Sequence, residues 1–135
     1  MKTFFATVIC IMTCLCVNAQ TTDLLGSWDI IEFGMVSDEN TNKADEAQLK
    51  EQGSEWSLFF MDDSKFKQTS NMRTGETESH EGTWSILEDK LTLDLKVGEQ
   101  LIKIQYAFKT EDDVLILERG NPMGTMKIVT KFRKR

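Results

Sequence analysis

Gly82-Thr83-Trp84-Ser85-Ile86-Leu87-Glu88-Asp89-Lys90-Leu91-Thr92-Leu93-Asp94-Leu95 is the stretch whose pattern decides the fold. Leu91, Leu93 and Leu95 alternate with Lys90, Thr92, Asp94 and Lys96. A strand built that way has one apolar and one wet face. Trp84 and Ile86 alternate likewise on the segment before. Glu88-Asp89 has turn composition, so the two segments fold back on each other as a hairpin.

The same design recurs on both sides. Upstream, residues 26–33 read as a first strand that starts its buried face at Trp28. Both registers beyond it carry apolar residues, and the Trp28 and Ile30 face is taken as the inner one. Residues 55–61 form a second strand with Trp56, Leu58 and Phe60 on one face. Asp62-Asp63-Ser64 turns the chain into residues 65–70, where Phe66, Gln68 and Ser70 face in. Downstream, Ile102, Ile104, Tyr106 and Phe108 share a face of residues 101–109. Leu115 and Leu117 follow on residues 114–118. Met126, Ile128, Thr130 and Phe132 point inward on the last strand, residues 125–133. The only proline, Pro122, sits in a turn, where its missing donor does no harm.

The longest connection, from Met35 to Gly53, is polar. Within it residues 43–52 are mostly helix formers, and Glu46 and Lys50 stand at i,i+4 in the favourable order. It reads as a solvated link or as a lid over one end of the domain. Consecutive hairpins joined by short turns mean an antiparallel sandwich or barrel. The strand count favours an all-β, eight-stranded up-and-down barrel with one short helix in the first connection. Closure removes the exposed edges of a flat sheet, and the closing contact is the last strand against the first.

The N-terminus carries an address. Lys2, an apolar run over residues 4–17 and Val17-Asn18-Ala19 before Gln20 describe a secretory signal peptide, with cleavage expected after Ala19. The expected domains are therefore residues 1–19, the signal, and 20–135, the barrel. Export to the periplasm or the extracellular space follows. Lipoprotein processing at Cys14 is a weaker alternative, because Met12 and Thr13 fit that motif badly. All three cysteines (Cys10, Cys14, Cys16) fall in the expected signal, so the mature core must be stable without disulfides. Removing Lys2 takes the formal charge from −6 to −7. An acidic chain argues against nucleic acid as a partner. After the signal no apolar run reaches spanning length, so no integral membrane span is expected.

Gly26-x-Trp28, Phe60-x-x-Asp63-Ser64-x-Phe66, Gly82-Thr83-Trp84-Ser85-Ile86 with Leu91-Thr92-Leu93, Asp112-Asp113-Val114-Leu115-Ile116-Leu117 and Lys131-Phe132-Arg133-Lys134-Arg135 occur in that order. Together they resemble the small secreted bacterial lipocalin-like domains over nearly all of the mature chain. The resemblance implies that Trp28 plugs one end of the barrel. It also implies that a basic residue from the last strand, Arg133 or Arg135, packs over the ring as a cation. The sequence departs from larger members in having no disulfide and no clear second or third lipocalin motif. Ser64 stands where small members often have glycine.

Catalytic and metal chemistry find little support. His80 is the only histidine. It lies near Glu76, Glu78 and Glu81, and would share a face with Glu78 if strand pairing began before Gly82. A metal site wants a second strong ligand, and a solvated strand end explains the cluster better. No nucleophile–histidine–acid motif or phosphate loop is present, so no enzyme, metal or cofactor is expected. Asp62-Asp63-Ser64 and Glu111-Asp112-Asp113 lack the spaced ligands of a calcium loop and read as turns. What remains is the barrel interior, which in eight strands can be filled or can hold one small ligand. The candidate lining is Trp56, Leu58, Phe60, Phe66, Tyr106 and Phe108, with a small hydrophobic molecule as partner. The alternative is an envelope interaction or structural domain with a self-packed core. Its place to look is an apolar patch of Ile31, Phe33 and Phe59 on the outward register.

Overall fold

A single sheet buries an alternating apolar face by curling onto it. The computed structural model describes residues 23–135 and shows this; the expected signal peptide and all three cysteines lie outside the described residues. The elements are β1 Gly26–Ser37, β2 Thr41–Ala44, α1 Glu46–Glu51, β3 Trp56–Phe60, β4 Lys65–Ser70, β5 Glu78–Leu87, β6 Lys90–Val97, β7 Gln100–Glu111, β8 Val114–Gly120 and β9 Met126–Lys134. From β3 to β9 each strand pairs antiparallel with the next. β1 closes the ring by pairing with both β3 and β9. The result is an eight-stranded antiparallel barrel, with β2 as a short extra strand on β1.

The hairpin at the centre of the sequence pairs Trp84 with Leu93 and Ile86 with Leu91, and Leu87 and Lys90 flank its two-residue turn. Gly82 lies opposite Leu95. A Cβ at this position would overlap the Asp94 carbonyl oxygen, so only glycine lets the two backbones approach so closely. Ser64 sits in the left-handed region at φ +65°, which explains why a glycine would suit that turn. Asp112 and Asp113 are both left-handed, at φ +46° and +63°. That combination is the type I′ turn, which matches strand twist.

The first strand holds the main departure from the sequence pattern. Its register with β9 shifts between Ile30 and Glu32, so Ile31 is an extra residue in a β-bulge. Before the bulge, Ile30 pairs with Phe132 and faces in. After it, Phe33 pairs with buried Thr130 and Met35 with Ile128, so the inward face now belongs to the odd numbers. Phe33 therefore leaves the outward patch expected for it. Ile31 and Phe33 are half-buried and Phe59 is exposed. β1 also runs on to Ser37, where Phe33–Val36 pair with β2 in what reads from sequence as a plain connection.

The helix is shorter than its run of helix formers. Asp45 caps it, accepting from the Gln48 amide while the Gln48 side chain accepts from the Asp45 amide. Lys43 and Ala44 consequently belong to β2. Leu49 is the helix's one buried residue.

The core is a single cluster gathered toward one end. It contains Leu24, Trp28, Leu58, Phe60, Phe66, Trp84, Leu91, Leu93, Leu95, Tyr106, Leu115, Leu117 and Phe132. Buried ring N–H groups are satisfied by backbone: Trp28 Nε1 donates to the Leu24 carbonyl at 2.9 Å and Trp84 Nε1 to that of Met61 at 3.1 Å. Among the described residues no buried side-chain polar atom lacks a partner.

Two substitutions test this account by chemical denaturation. Gly82→Ala is expected to destabilise the protein by about 1–3 kcal/mol, the usual cost of overpacking. Ser64→Gly is expected to stabilise it by about 1 kcal/mol through relief of left-handed strain. A neutral Gly82→Ala would contradict the close approach of β5 and β6.

Candidate functional site

The two ends of the barrel differ. At one, Trp28 is 1 % exposed and Leu24 packs beside it. Phe60 meets Phe66 at 5.0 Å between ring centroids and Trp84 edge-on at 5.3 Å. This aromatic floor closes the interior. The cation over the Trp28 ring is the Lys134 ammonium, 5.6 Å from the centroid, rather than Arg133. Register explains the difference: Lys134 lies opposite Trp28 and shares its face, whereas Arg133, one position back, points out and pairs with Glu46 at 3.1 Å. Arg135 also lies outside, where it grips Asp29 through two hydrogen bonds of 2.8 and 2.9 Å.

At the other end the inward register continues but its residues are reached by solvent. Ile102 pairs with buried Leu95, Ile128 with Met35, and Met126 shares a face with Ile128 and buried Thr130. Yet Met35, Ile102 and Met126 are 40 %, 39 % and 37 % exposed. Apolar side chains turned inward and still exposed describe a cup open at this end. Gln68 and His80 pair across β4 and β5 on the same inner face and are half-buried. β5 begins at Glu78, so Glu78 and His80 do share a face. Glu78, however, is engaged by Arg73 at 3.0 Å. Among the described residues no group of three or more His, Cys, Asp or Glu side chains is placed to hold a metal.

The six candidate lining residues divide by depth. Leu58, Phe60 and Phe66 are about fully buried in the floor, and Tyr106 is nearly so. Burial pushes the Tyr106 phenol above its ordinary pKa, with the nearby Arg119 charge opposing. Trp56 and Phe108 are half-buried against the core. Trp56 stands edge-on to Phe132 at 5.2 Å and its Nε1 donates to Gln68 Oε1 at 3.3 Å. Met35 joins the cup only because of the bulge, and Leu49 and Leu24 pack from segments with no periodicity of their own. No pattern in the sequence marked these three.

A cleft of about 760 Å³ opens on the side of the barrel between α1, the start of β3 and the end of β9. Ile30, Ile31, Leu49 and Trp56 line its base, and Asp29, Glu46, Arg133 and Arg135 stand around it. Among the described residues no helix is long and apolar enough to cross a membrane.

Comparison with known proteins agrees with this architecture. The model of the lipocalin-like domain matches residues 24–117. A crystal structure of a lipocalin-like protein from Bacteroides uniformis superposes with a TM-score of 0.56 at 18 % identity, covering 84 % of this chain and 99 % of that one. An uncharacterized protein from Bacteroides eggerthii gives a TM-score of 0.52 at 16 % identity, over 82 % and 98 % of the two chains. None of the curated proteins matches the chain.

The Asp29–Arg135 pair carries a pH dependence. The Arg135 guanidinium, hydrogen-bonded to the Asp29 carboxylate, holds its pKa below the usual value, with Ser57 adding a second donor and partial burial opposing. A carboxylate whose pKa is lower folded than unfolded stabilises the fold fully above the unfolded value of about 4. That contribution is lost as pH falls through the folded value. Urea midpoints from pH 7 down to pH 2 should therefore fall less steeply in Asp29→Asn than in the wild type. Parallel curves would contradict the assignment.

Proposed function

Since the chain belongs to the lipocalin-like domain family, we propose that it is an exported binding protein holding a small apolar ligand inside the barrel. The observation that carries this reading is the open end. Met35, Ile102 and Met126 point inward yet remain about two-fifths exposed. Leaving apolar surface in water is unfavourable by roughly 25 cal/mol per Å², and a ligand of matching chemistry removes that penalty. The ligand rests on the floor built by Leu58, Phe60 and Phe66 and meets Trp56, Tyr106 and Phe108 on the walls. Tyr106 and Gln68 supply polar handles in an otherwise oily site. The role is binding rather than catalysis.

Thermal unfolding against a panel of fatty alcohols, sterols and aromatic hydrocarbons tests this. A ligand held by the folded state alone is expected to raise the melting point progressively with concentration, by the equivalent of about 2.7 kcal/mol at a hundredfold excess over Kd. Ile102→Glu places a charge in the cup at a partly exposed position, and is expected to abolish the shift while the protein still unfolds cooperatively. The absence of any shift across the panel would remove the reading.

A further inference from the structure

The barrel wall has a gap beside the bulge. The ladder of β1 with β3 ends at Asp29, and the ladder with β2 on that same side begins at Phe33. Ile30, Ile31 and Glu32 have no strand partner there. The side cleft lies against this gap, and its volume of about 760 Å³ falls in the range of ~300–1,000 Å³ typical of small-molecule sites. Its base joins outside to inside. Ile31 belongs to the bulge, whereas Ile30 and Trp56, which also line the cleft, are inner-face residues packed against the core. Lys50, Arg133 and Arg135 stand along the cleft with Asp29, Glu46 and Glu55, three cations beside three carboxylates, while the Lys134 ammonium lies over the Trp28 ring.

We propose that this cleft is a lateral opening into the barrel that takes an amphiphile with one anionic head. The apolar chain passes between β1 and β3 onto Ile30 and Trp56, and the head is held by Arg133 and Arg135. The proposal rests on the reading of the interior as an apolar ligand site, and adds the route and the charge of the ligand. A guanidinium offers paired N–H donors that match a carboxylate. Both guanidiniums already hold carboxylates of the protein, Glu46 at 3.1 Å and Asp29 at 2.8 Å. Those side chains occupy the positions an incoming anionic head takes. Both ion pairs are more than a third exposed on each side, so exchanging one carboxylate for another costs little. Leu49 is the only buried residue of α1, so the roof of the cleft has one apolar anchor. A neutral head gains nothing from the two arginines, which makes head charge the quantity to vary.

Calorimetric titration of the purified protein with laurate and with dodecanol, both below micelle-forming concentrations, tests the proposal. Glu46→Gln removes the internal competitor and is expected to raise the laurate-to-dodecanol affinity ratio about fivefold; Arg133→Gln is expected to lower it by a similar factor. The wild-type ratio should also fall as salt is added. If dodecanol binds and the ratio is the same in all three proteins, the lateral anionic site is wrong while the interior reading stands. If neither molecule binds the wild type, the lateral site is wrong, and the interior reading is decided by the thermal panel alone.

Discussion

The structure depends on one strand meeting two neighbours. β1 pairs with β9 along nearly its whole length and with β3 at its start, and this double pairing turns a row of hairpins into a ring. Without it β3 and β9 would be open edges, with unpaired backbone groups and half of the apolar face in water. Closure is also what buries Trp28. Its ring stands on the strand that seals the barrel, donates its Nε1 hydrogen to the Leu24 carbonyl, and is covered by Lys134 from the paired strand β9. Fold and floor are thus consequences of the same ladder.

The bulge at Ile31 shapes everything that distinguishes one end of the molecule from the other. One extra residue switches which side chains of β1 face inward, bends the strand and ends its pairing with β3. The freed stretch is roofed by β2 and α1 instead. Below the bulge the interior is packed with large aromatic side chains. Above it the inner face carries Met35, Gln68, His80, Ile102 and Ile128, none of them fully buried. The bulge thus places Met35 at the open end and Ile31 in the side cleft.

The alternation of Leu91, Leu93 and Leu95 against Lys90, Thr92 and Asp94 was enough to place the central hairpin, because period-two burial leaves its mark on every residue. The same signal located the floor residues Leu58, Phe60 and Phe66 and the closing strand. It failed at β1, where Ile30, Ile31 and Phe33 offer two competing faces. Both are correct, each on its own side of an inserted residue that composition does not reveal. β2 was invisible because three exposed polar residues and an alanine have no apolar alternation to show. Arg133 and Lys134 can each supply a cation over Trp28, and the β1–β9 register decides between them. Depth was equally hidden. Sequence marks which side chains turn inward, but whether they fill the barrel or line a cup depends on how far along the axis each strand places them.

Amide hydrogen exchange along β9 tests closure most directly, because alternate amides of a central strand bond to opposite neighbours. With the ring closed, consecutive amides from Ile128 to Phe132 are all expected to be protected, and to a degree comparable with those of the β6–β7 ladder. If every second one of them exchanged at the rate of an unfolded chain, β9 would have a single partner, and the barrel described here would be an open sheet.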